Sequence, residues 1–367
     1  MRILTFLHSF EPGGVERDAL RLNDEWARLG ADVQIALGRR EGRLADEAPD
    51  LPYTMMQNGH FSTASFETLW MIFKLPAVIR ALQPDILFCA GNTYSIVAVA
   101  MRLILGRACP PIVLKVSNDL QRRDLRAPMR WAYHIWLRVQ VPAFDAIVAM
   151  AEPARAEVES VMRVLPSRVT VINNASLGIA ELAQFATARD AASRDHSGRR
   201  FLAVGRLVGQ KNFALLLRAF ARMRRPDDRL TLIGEGEKRA MLERLIRDLG
   251  IADSVIMPGH INPLHDAFGQ ADAFVLSSDY EGLGVVVVEA LAAGVPVVAT
   301  DCCINMKVLV KADGLLVSIK DVDALARAME QISGVATDPA AMRARARGFA
   351  VETVAPKWLT LFAELSA

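Results

Sequence analysis

Residues 277–300 read SSDYEGLGVVVVEALAAGVPVVAT, and the state assigned to the middle of this stretch decides the fold. The four valines at 285–288 carry the β-branched side chains that favour a strand. Their neighbours argue otherwise. Glu289, Ala290, Leu291, Ala292 and Ala293 are good helix formers, and Gly294-Val295-Pro296 is a stop that leads into another apolar run. A strand at 285–288 would also leave no crossover before Val295. The spacing therefore predicts a strand ending near Ser277, a glycine-rich turn, a helix from Val285 and a strand over 295–299. A helix starting there presents the backbone amides of Gly282, Leu283 and Gly284 to an anion. Glu281 then lies in the loop and Glu289 about a turn further in, both lining one pocket. Each acid alone is an ordinary helix-start cap; the set is more specific.

The same alternation runs outward in both directions. Strands are predicted over 2–8, 32–37, 85–90, 111–117, 145–150 and 169–172, with helical patterns between them. Val15, Ala19, Leu22, Trp26 and Leu29 recur at spacings of four and three, one face of a helix. From 178 to 200 the chain is rich in Ala, Arg and Asp and reads as an interdomain connection. A second alternation follows, with strands over 201–204, 230–233, 254–257, 273–276 and 295–299 and helices over 212–223 and 237–249. Helical patterns occupy 322–365. Repeated β-α units give mostly parallel sheets covered by helices on both faces. Two such blocks predict two Rossmann-like α/β domains facing a cleft, with ligands at the carboxyl ends of the strands.

Composition agrees with this and excludes much else. The chain has 367 residues, 52% of them apolar and 23% charged, which is ordinary for a globular protein and excludes disorder and rods. At roughly 150 residues per domain the length fits two domains. With 43 basic and 41 acidic residues the net charge is +2, which gives no global attraction to nucleic acid. Cys89, Cys109, Cys302 and Cys303 lack zinc or redox spacing and read as free thiols in a reducing cytoplasm. No signal peptide and no apolar run of about 18 residues is visible. No His/Asp/Glu cluster has metal-ligand spacing, so no metal is expected.

Three further turns follow predicted strands. Gly13-Gly14 precedes a helix and leaves amides open to an anion, or is a plain tight turn; a GxGxxG fingerprint is absent. Gly205-Arg206 lies five residues before Lys211, and two cations on one short loop can neutralise a diphosphate. Gly234-Glu235-Gly236 has Arg239 at the third glycine position of a dinucleotide motif, so nicotinamide binding is rejected.

At this point the sequence resembles a known family. Glu281 and Glu289 with the glycines between them are similar to the E-x7-E signature of retaining glycosyltransferases of the GT-B fold, family 4. Gly205-Arg206-Leu207 with Lys211 resembles that family's GR-L…K loop, and Leu232-Ile233-Gly234-Glu235-Gly236 its LxGxG turn. Pro258-Gly259-His260 and the run Gln270-Ala271-Asp272-Ala273-Phe274-Val275 resemble the stretch around its nucleotide-base pocket. Gly13-Gly14-Val15-Glu16 is similar to its first loop. The likeness is specific over 201–301 and looser in the first half.

The resemblance implies a GT-B organisation. Residues 1–175 would form an acceptor-binding domain, 176–199 a linker, 200–348 a donor-binding domain, and 349–367 a helix crossing back. It implies a nucleotide-diphosphate sugar donor, UDP- or GDP-linked, with no cofactor and no metal. Catalytic roles would fall to Glu281, Arg206 and Lys211. The donor would touch Gly14, Gly205, Arg206, Lys211, Gly234, His260, Glu281, Gly282, Leu283, Gly284 and Glu289. Within that set Arg206 and Lys211 would hold the diphosphate, Glu289 the ribose, and Glu281 would sit beside the transferred sugar.

The acceptor implied is a lipid-linked sugar or a polysaccharide or glycolipid precursor, met at the inner face of a membrane by a cytoplasmic, peripheral enzyme. Two departures stand out. Ser117-Asn118-Asp119 occupies the place of the family's acceptor-domain histidine, and Asp301-Cys302-Cys303-Ile304-Asn305-Met306 replaces its glycine-rich turn. A GT-B-fold sugar-nucleotide epimerase and an inactive nucleotide-sugar-binding protein remain as alternatives. Finally, Arg122, Arg126, Arg130, His134 and Arg138 recur every four residues near Trp131, Tyr133 and Trp136. This is either a basic stripe for an anionic membrane surface or the solvated side of a half-buried helix.

Overall fold

The computed structural model describes residues 1–11, 13–42, 44–56, 66–117, 120–122, 125–193 and 195–366. Contacts divide the chain into one unit of residues 1–175 and 351–367 and a second of residues 176–350.

The first unit runs β1 (Arg2–Leu7), α1 (Gly14–Arg28), β2 (Asp32–Leu37), β3 (Tyr53–Met55), α2 (Glu67–Leu82), β4 (Ile86–Cys89), α3 (Ser95–Leu105), β5 (Ile112–Val116), α4 (Ala127–Val139), β6 (Ala146–Ala149), α5 (Glu152–Met162) and β7 (Val169–Val171). Its parallel sheet has the order β3-β2-β1-β4-β5-β6-β7. β4, β5 and β6 are buried along their whole length in a sheet covered on both faces; β4 and β6 are apolar throughout, and the one charge in β5, Lys115, pairs with Asp18 of α1. The step from β1 to β2 goes one way along the sheet, and those from β3 to β4, β5, β6 and β7 go the other. Right-handed crossovers therefore put α1 on one face and α2, α3, α4 and α5 on the opposite face.

The second unit opens with α6 (Ile179–Ala191), then β8 (Arg200–Val204), α7 (Phe213–Met223), β9 (Arg229–Ile233), α8 (Arg239–Asp248), β10 (Val255–Gly259), α9 (His265–Gln270), β11 (Ala273–Leu276), α10 (Val285–Ala293), β12 (Val297–Thr300), α11 (Met306–Val310), β13 (Gly314–Val317), α12 (Val322–Gln331) and α13 (Pro339–Arg347). Its parallel sheet has the order β10-β9-β8-β11-β12-β13. The last helix, α14 (Val351–Ser366), belongs to the first unit. There Trp358 and Phe362 pack edge-on against Trp26 of α1 and Phe88 of β4, with ring centroids 5.1–6.2 Å apart.

Three expectations change. The stretch read as a linker carries α6, which buries Leu182 and Phe185. The Arg189 guanidinium donates to the carbonyl oxygens of Gly269 and Ala271, so a charge that looked like surface composition caps the α9 end. The short strands β3 and β13 are missed by the sequence reading: each lies at the edge of its sheet and is only partly buried, so neither carries the pattern of the central strands. The basic stripe does not form one solvated face. His134 Nε2 pairs with the Leu120 carbonyl at 3.1 Å, Arg138 donates to the Val161 carbonyl at 3.0 Å, and the Arg122 guanidinium lies over the Tyr133 ring. α4 is instead a half-buried helix: Leu137 is buried, Tyr133, Ile135 and Trp136 are partly buried, and Tyr133 packs against the core.

Candidate functional site

In an open α/β sheet a ligand sits where the strand order reverses, beyond the carboxyl ends of the strands. In the second unit that point lies between β8 and β11. The loops that follow these two strands, 205–212 and 277–284, are stitched together. Asp279 donates its backbone N–H to the Gln210 carbonyl, and the Gln210 amide donates to the Tyr280 carbonyl, both at 2.9 Å. Asn212 Nδ2 reaches Asp279 Oδ1 at 2.9 Å, and Ser277 Oγ donates to the Lys211 carbonyl at 2.8 Å.

This lacing brings Lys211 onto Glu281. The ammonium is 2.6 Å from Glu281 Oε1, and Ser278 Oγ donates to the same oxygen at 2.6 Å. The two side chains are 14% and 9% exposed, so the pair is shielded enough to matter and still reachable by a ligand. Thr300 Oγ1 donates to the Ser278 carbonyl at 2.6 Å, and Asn305 Nδ2 to the Gly282 carbonyl at 2.9 Å. The turn at 278–282 is thus fixed from three sides.

Helix α10 starts next to it. Its first residue is Val285, and Gly284 is its N-cap in a left-handed conformation (φ +81°), with no side-chain cap. The valine run is helical because Val287, Val288 and Ala290 to Ala293 are all buried among neighbouring elements, which outweighs β propensity. A helix N-terminus without a side-chain cap leaves backbone N–H groups for an anion. Glu289 is the fifth helical residue and is partly exposed.

The remaining candidates occupy the neighbouring loops. Gly234 follows β9 at φ +145°, and a Cβ there would lie 1.9 Å from the Gly205 carbonyl oxygen, so only glycine lets the loops after β8 and β9 stack. Leu207 N–H donates to the Glu235 carbonyl at 2.8 Å and Gly234 N–H to the Gly259 carbonyl at 2.8 Å. Arg206 projects from this stack, its side chain exposed and without a hydrogen bond or ion pair among the described residues. His260 follows β10 and is exposed. Sequence reasoning did not single out Ser278, Thr300 or Asn305 as supports; the run Ser277-Ser278-Asp279 before Glu281 was the available signal. Cys302 and Cys303 are buried beside this site. Contact with Cys303, burial and the Glu281 charge push the Cys302 thiol well above the ordinary range, which keeps it protonated.

Gly14 is in the first unit, where it opens α1. The sheet's reversal point there, between β1 and β4, gathers a polar group of its own. Tyr94 OH donates to Glu16 Oε1 at 2.6 Å, and the His8 ring lies 4.7 Å from the Tyr94 ring. Burial lowers the His8 pKa below its usual value. Ser117 N–H donates to Asn92 Oδ1 at 2.9 Å; Asn118 and Asp119 lie outside the described residues. Among the described residues no group of three or more His, Cys, Asp or Glu is placed to hold a metal ion.

Two parallel-sheet units, the first of them completed by the chain's last helix, are the GT-B class of fold. Over 99% of this chain and 100% of the other, the fold is similar to that of HepE from Anabaena, solved in complex with UDP, at a TM-score of 0.78 and 19% identity. Residues 12–175 match the family described as "Glycosyltransferase Family 4" and residues 184–349 the one described as "Glycosyl transferases group 1". The chain belongs to this glycosyltransferase family, group 1 or family 4.

Two curated relatives show the spread within it. An exopolysaccharide phosphotransferase of Streptomyces coelicolor is 30% identical over 82% of this chain, which spans 31% of that protein's length. A Campylobacter jejuni enzyme named as an N-acetylgalactosamine-N,N'-diacetylbacillosaminyl-diphospho-undecaprenol 4-alpha-N-acetylgalactosaminyltransferase is 25% identical over 86% of this chain and 85% of its own.

Proposed function

We propose that the protein transfers a sugar, with retention of configuration, from a UDP- or GDP-linked donor to a lipid-linked sugar or a glycan precursor of the cell envelope. The observation that carries this is the Lys211–Glu281 pair set against the uncapped N-terminus of α10. Breaking the bond from the sugar's anomeric carbon to the diphosphate oxygen leaves negative charge on the diphosphate. Arg206, Lys211 and the α10 amides are the cationic and dipolar groups that would meet it. Glu281 holds Lys211, and Ser278 holds Glu281, so this charge needs little reorganisation when the bond breaks. The name of the Campylobacter relative, which acts on an undecaprenol-linked substrate, supports the acceptor class.

The test is a thermal-shift panel of UDP, GDP, ADP and their sugar conjugates, followed by transfer of a labelled sugar from the best donor to a lipid-linked acceptor. Stabilisation by one nucleoside diphosphate and its conjugates, with loss of label from the donor, is expected. No shift with any of them would remove the reading, and release of an epimerised donor without transfer would favour an epimerase.

A further inference from the structure

A diphosphate at the N-terminus of α10 carries a nucleoside at one end and a sugar at the other, and the loops on either side of that helix start differ in what they offer. In the sheet, β8, β9 and β10 lie to one side of β11, and β12 and β13 to the other. The loops after β8, β9 and β10 meet backbone to backbone at Gly205, Gly234 and Gly259, a floor without side chains at those points. A flat base suits that floor, which leaves the sugar to the loop after β12.

This loop, residues 301–305, and the first residue of α11 lie against the start of α10. A Cβ at Gly284, the α10 N-cap, would come within 2.6 Å of the Met306 methyl carbon, and Asn305 Nδ2 holds the Gly282 carbonyl. The loop offers mostly sulfur and hydrocarbon. Cys302 and Cys303 are free thiols, 6% and 8% exposed, and Ile304 is 39% exposed. The Glu281 charge reaches the Cys302 thiol, so this wall adjoins the Lys211–Glu281 pair. The flanking charges, Asp301 and Lys307, pair with each other at 3.8 Å. One polar atom is left over. Asn305 Oδ1 is buried and has no hydrogen-bond partner among the described residues. A buried acceptor in that state calls for a donor.

We infer, resting on the donor reading above, that the sugar transferred is an acetamido sugar, its acetyl methyl against Cys302, Cys303 and Ile304 and its amide N–H donated to Asn305 Oδ1. An acetamido group carries a methyl and an N–H on one planar unit, the pair of features this loop lacks partners for. A plain hexose would set hydroxyls against thiols and isoleucine, where they lose water without gaining a good partner. A 6-deoxy sugar brings a methyl group without an N–H beside it.

Calorimetry with matched sugar nucleotides tests this without an acceptor. The pairs are N-acetylglucosamine against glucose, N-acetylgalactosamine against galactose and rhamnose against mannose, each linked to UDP and to GDP, with the bare nucleotides as reference. The acetamido member of a pair should bind at least about ten-fold tighter than its hydroxyl counterpart, as a small group in a fitted apolar pocket does. Cys303→Ser/Ile304→Thr should cut that ratio roughly ten-fold and leave affinity for the bare nucleotide unchanged. Ile304→Thr alone, at a partly exposed side chain, should cut it in the same direction. Asn305→Ala should lower the ratio as well, and Asn305→Asp, which keeps an acceptor oxygen, should retain more of it. The ratio is the readout because a general loss of fit at the turn weakens both members of a pair alike.

Equal affinity within the acetamido pairs would overturn the inference. So would a preference that survives unchanged in both Cys303→Ser/Ile304→Thr and Asn305→Ala, or a preference confined to rhamnose over mannose, which would give the wall to a 6-deoxy sugar. Binding of UDP or GDP without any acetamido preference removes this inference and leaves the donor reading standing. Binding of no nucleotide at all removes both.

Discussion

The Lys211 ammonium and the Glu281 carboxylate meet at 2.6 Å although the residues are 70 positions apart. Lys211 is placed from the other loop, and Glu281 from both. Lys211 is held by the contact of its carbonyl with Ser277 Oγ, and Glu281 by Ser278 Oγ. The loops after β8 and β11 thus fold as one object, and a substitution in either reaches the other.

Lys211→Ala leaves a shielded carboxylate with one hydroxyl for company. Unfolding free energy should fall by about 2–3 kcal/mol, and transfer by at least about 100-fold. In Lys211→Ala/Glu281→Gln the uncompensated charge is gone, so denaturant midpoints should recover towards wild type while transfer stays low. If the double variant is as unstable as the single, the carboxylate is held by something other than Lys211.

Arg206→Ala separates the two effects. The side chain is exposed and has no partner among the described residues, so stability should stay within about 0.5 kcal/mol of wild type. Loss of a cation from the developing diphosphate charge should lower kcat roughly 100-fold. Wild-type turnover in this variant would make Arg206 an ordinary surface arginine.

Glu289→Ala should weaken UDP or GDP binding about 10–100-fold, the range expected for hydrogen bonds from ribose hydroxyls to a carboxylate. Calorimetry with inorganic pyrophosphate, which has no ribose, should show no such difference between variant and wild type. An equal loss for both ligands would move Glu289 from the ribose to the phosphates or to the fold.

How far the sequence carried can be judged from single elements. The valine run before Glu289 reads correctly as helix because the crossover argument is topological and overrides propensity. Glu281, Lys211, Gly234 and Gly284 are legible because they follow strands in a parallel sheet. Ser278 and Asn305 are not, since a serine or asparagine in a loop declares no partner until the loops are folded. α6 reads as linker from its composition, and only the pairing of Arg189 with carbonyl oxygens near α9 shows why the segment is ordered. The stripe on α4 fails for a related reason: a period of four marks a face but not whether that face meets water or a neighbouring carbonyl.

If Arg206, Lys211 and the α10 amides supply the positive charge that a divalent cation would otherwise bring, as proposed, chelation should leave transfer unchanged. Turnover in EDTA, compared with turnover after adding Mg²⁺ or Mn²⁺, measures this. Complete loss in EDTA with recovery on adding metal would contradict it.

The last prediction concerns acid. His8 lies at the reversal point of the first sheet, against Tyr94, with Glu67 of α2, Glu16 of α1 and Arg39 after β2 as its charged surroundings. Burial lowers its pKa below the usual 6.5; the two glutamates oppose that shift and Arg39 assists it. The sign follows from which state binds the proton. In the unfolded chain His8 takes up a proton as pH drops through 6.5, while the folded chain resists it, so the unfolded state carries more protons in that window. Unfolding free energy should therefore fall as pH drops below 6.5 towards the depressed folded-state value. His8→Gln has nothing to titrate there. Urea midpoints of wild type should decline between about pH 7.5 and pH 5.5, and those of the variant should decline less. The His8 ring resonances should titrate below 6.5 in the folded protein, a readout that packing changes alone would not produce. Should the two proteins lose stability in parallel, or the ring titrate at or above 6.5, the carboxylates of Glu16 and Glu67 outweigh burial at this site.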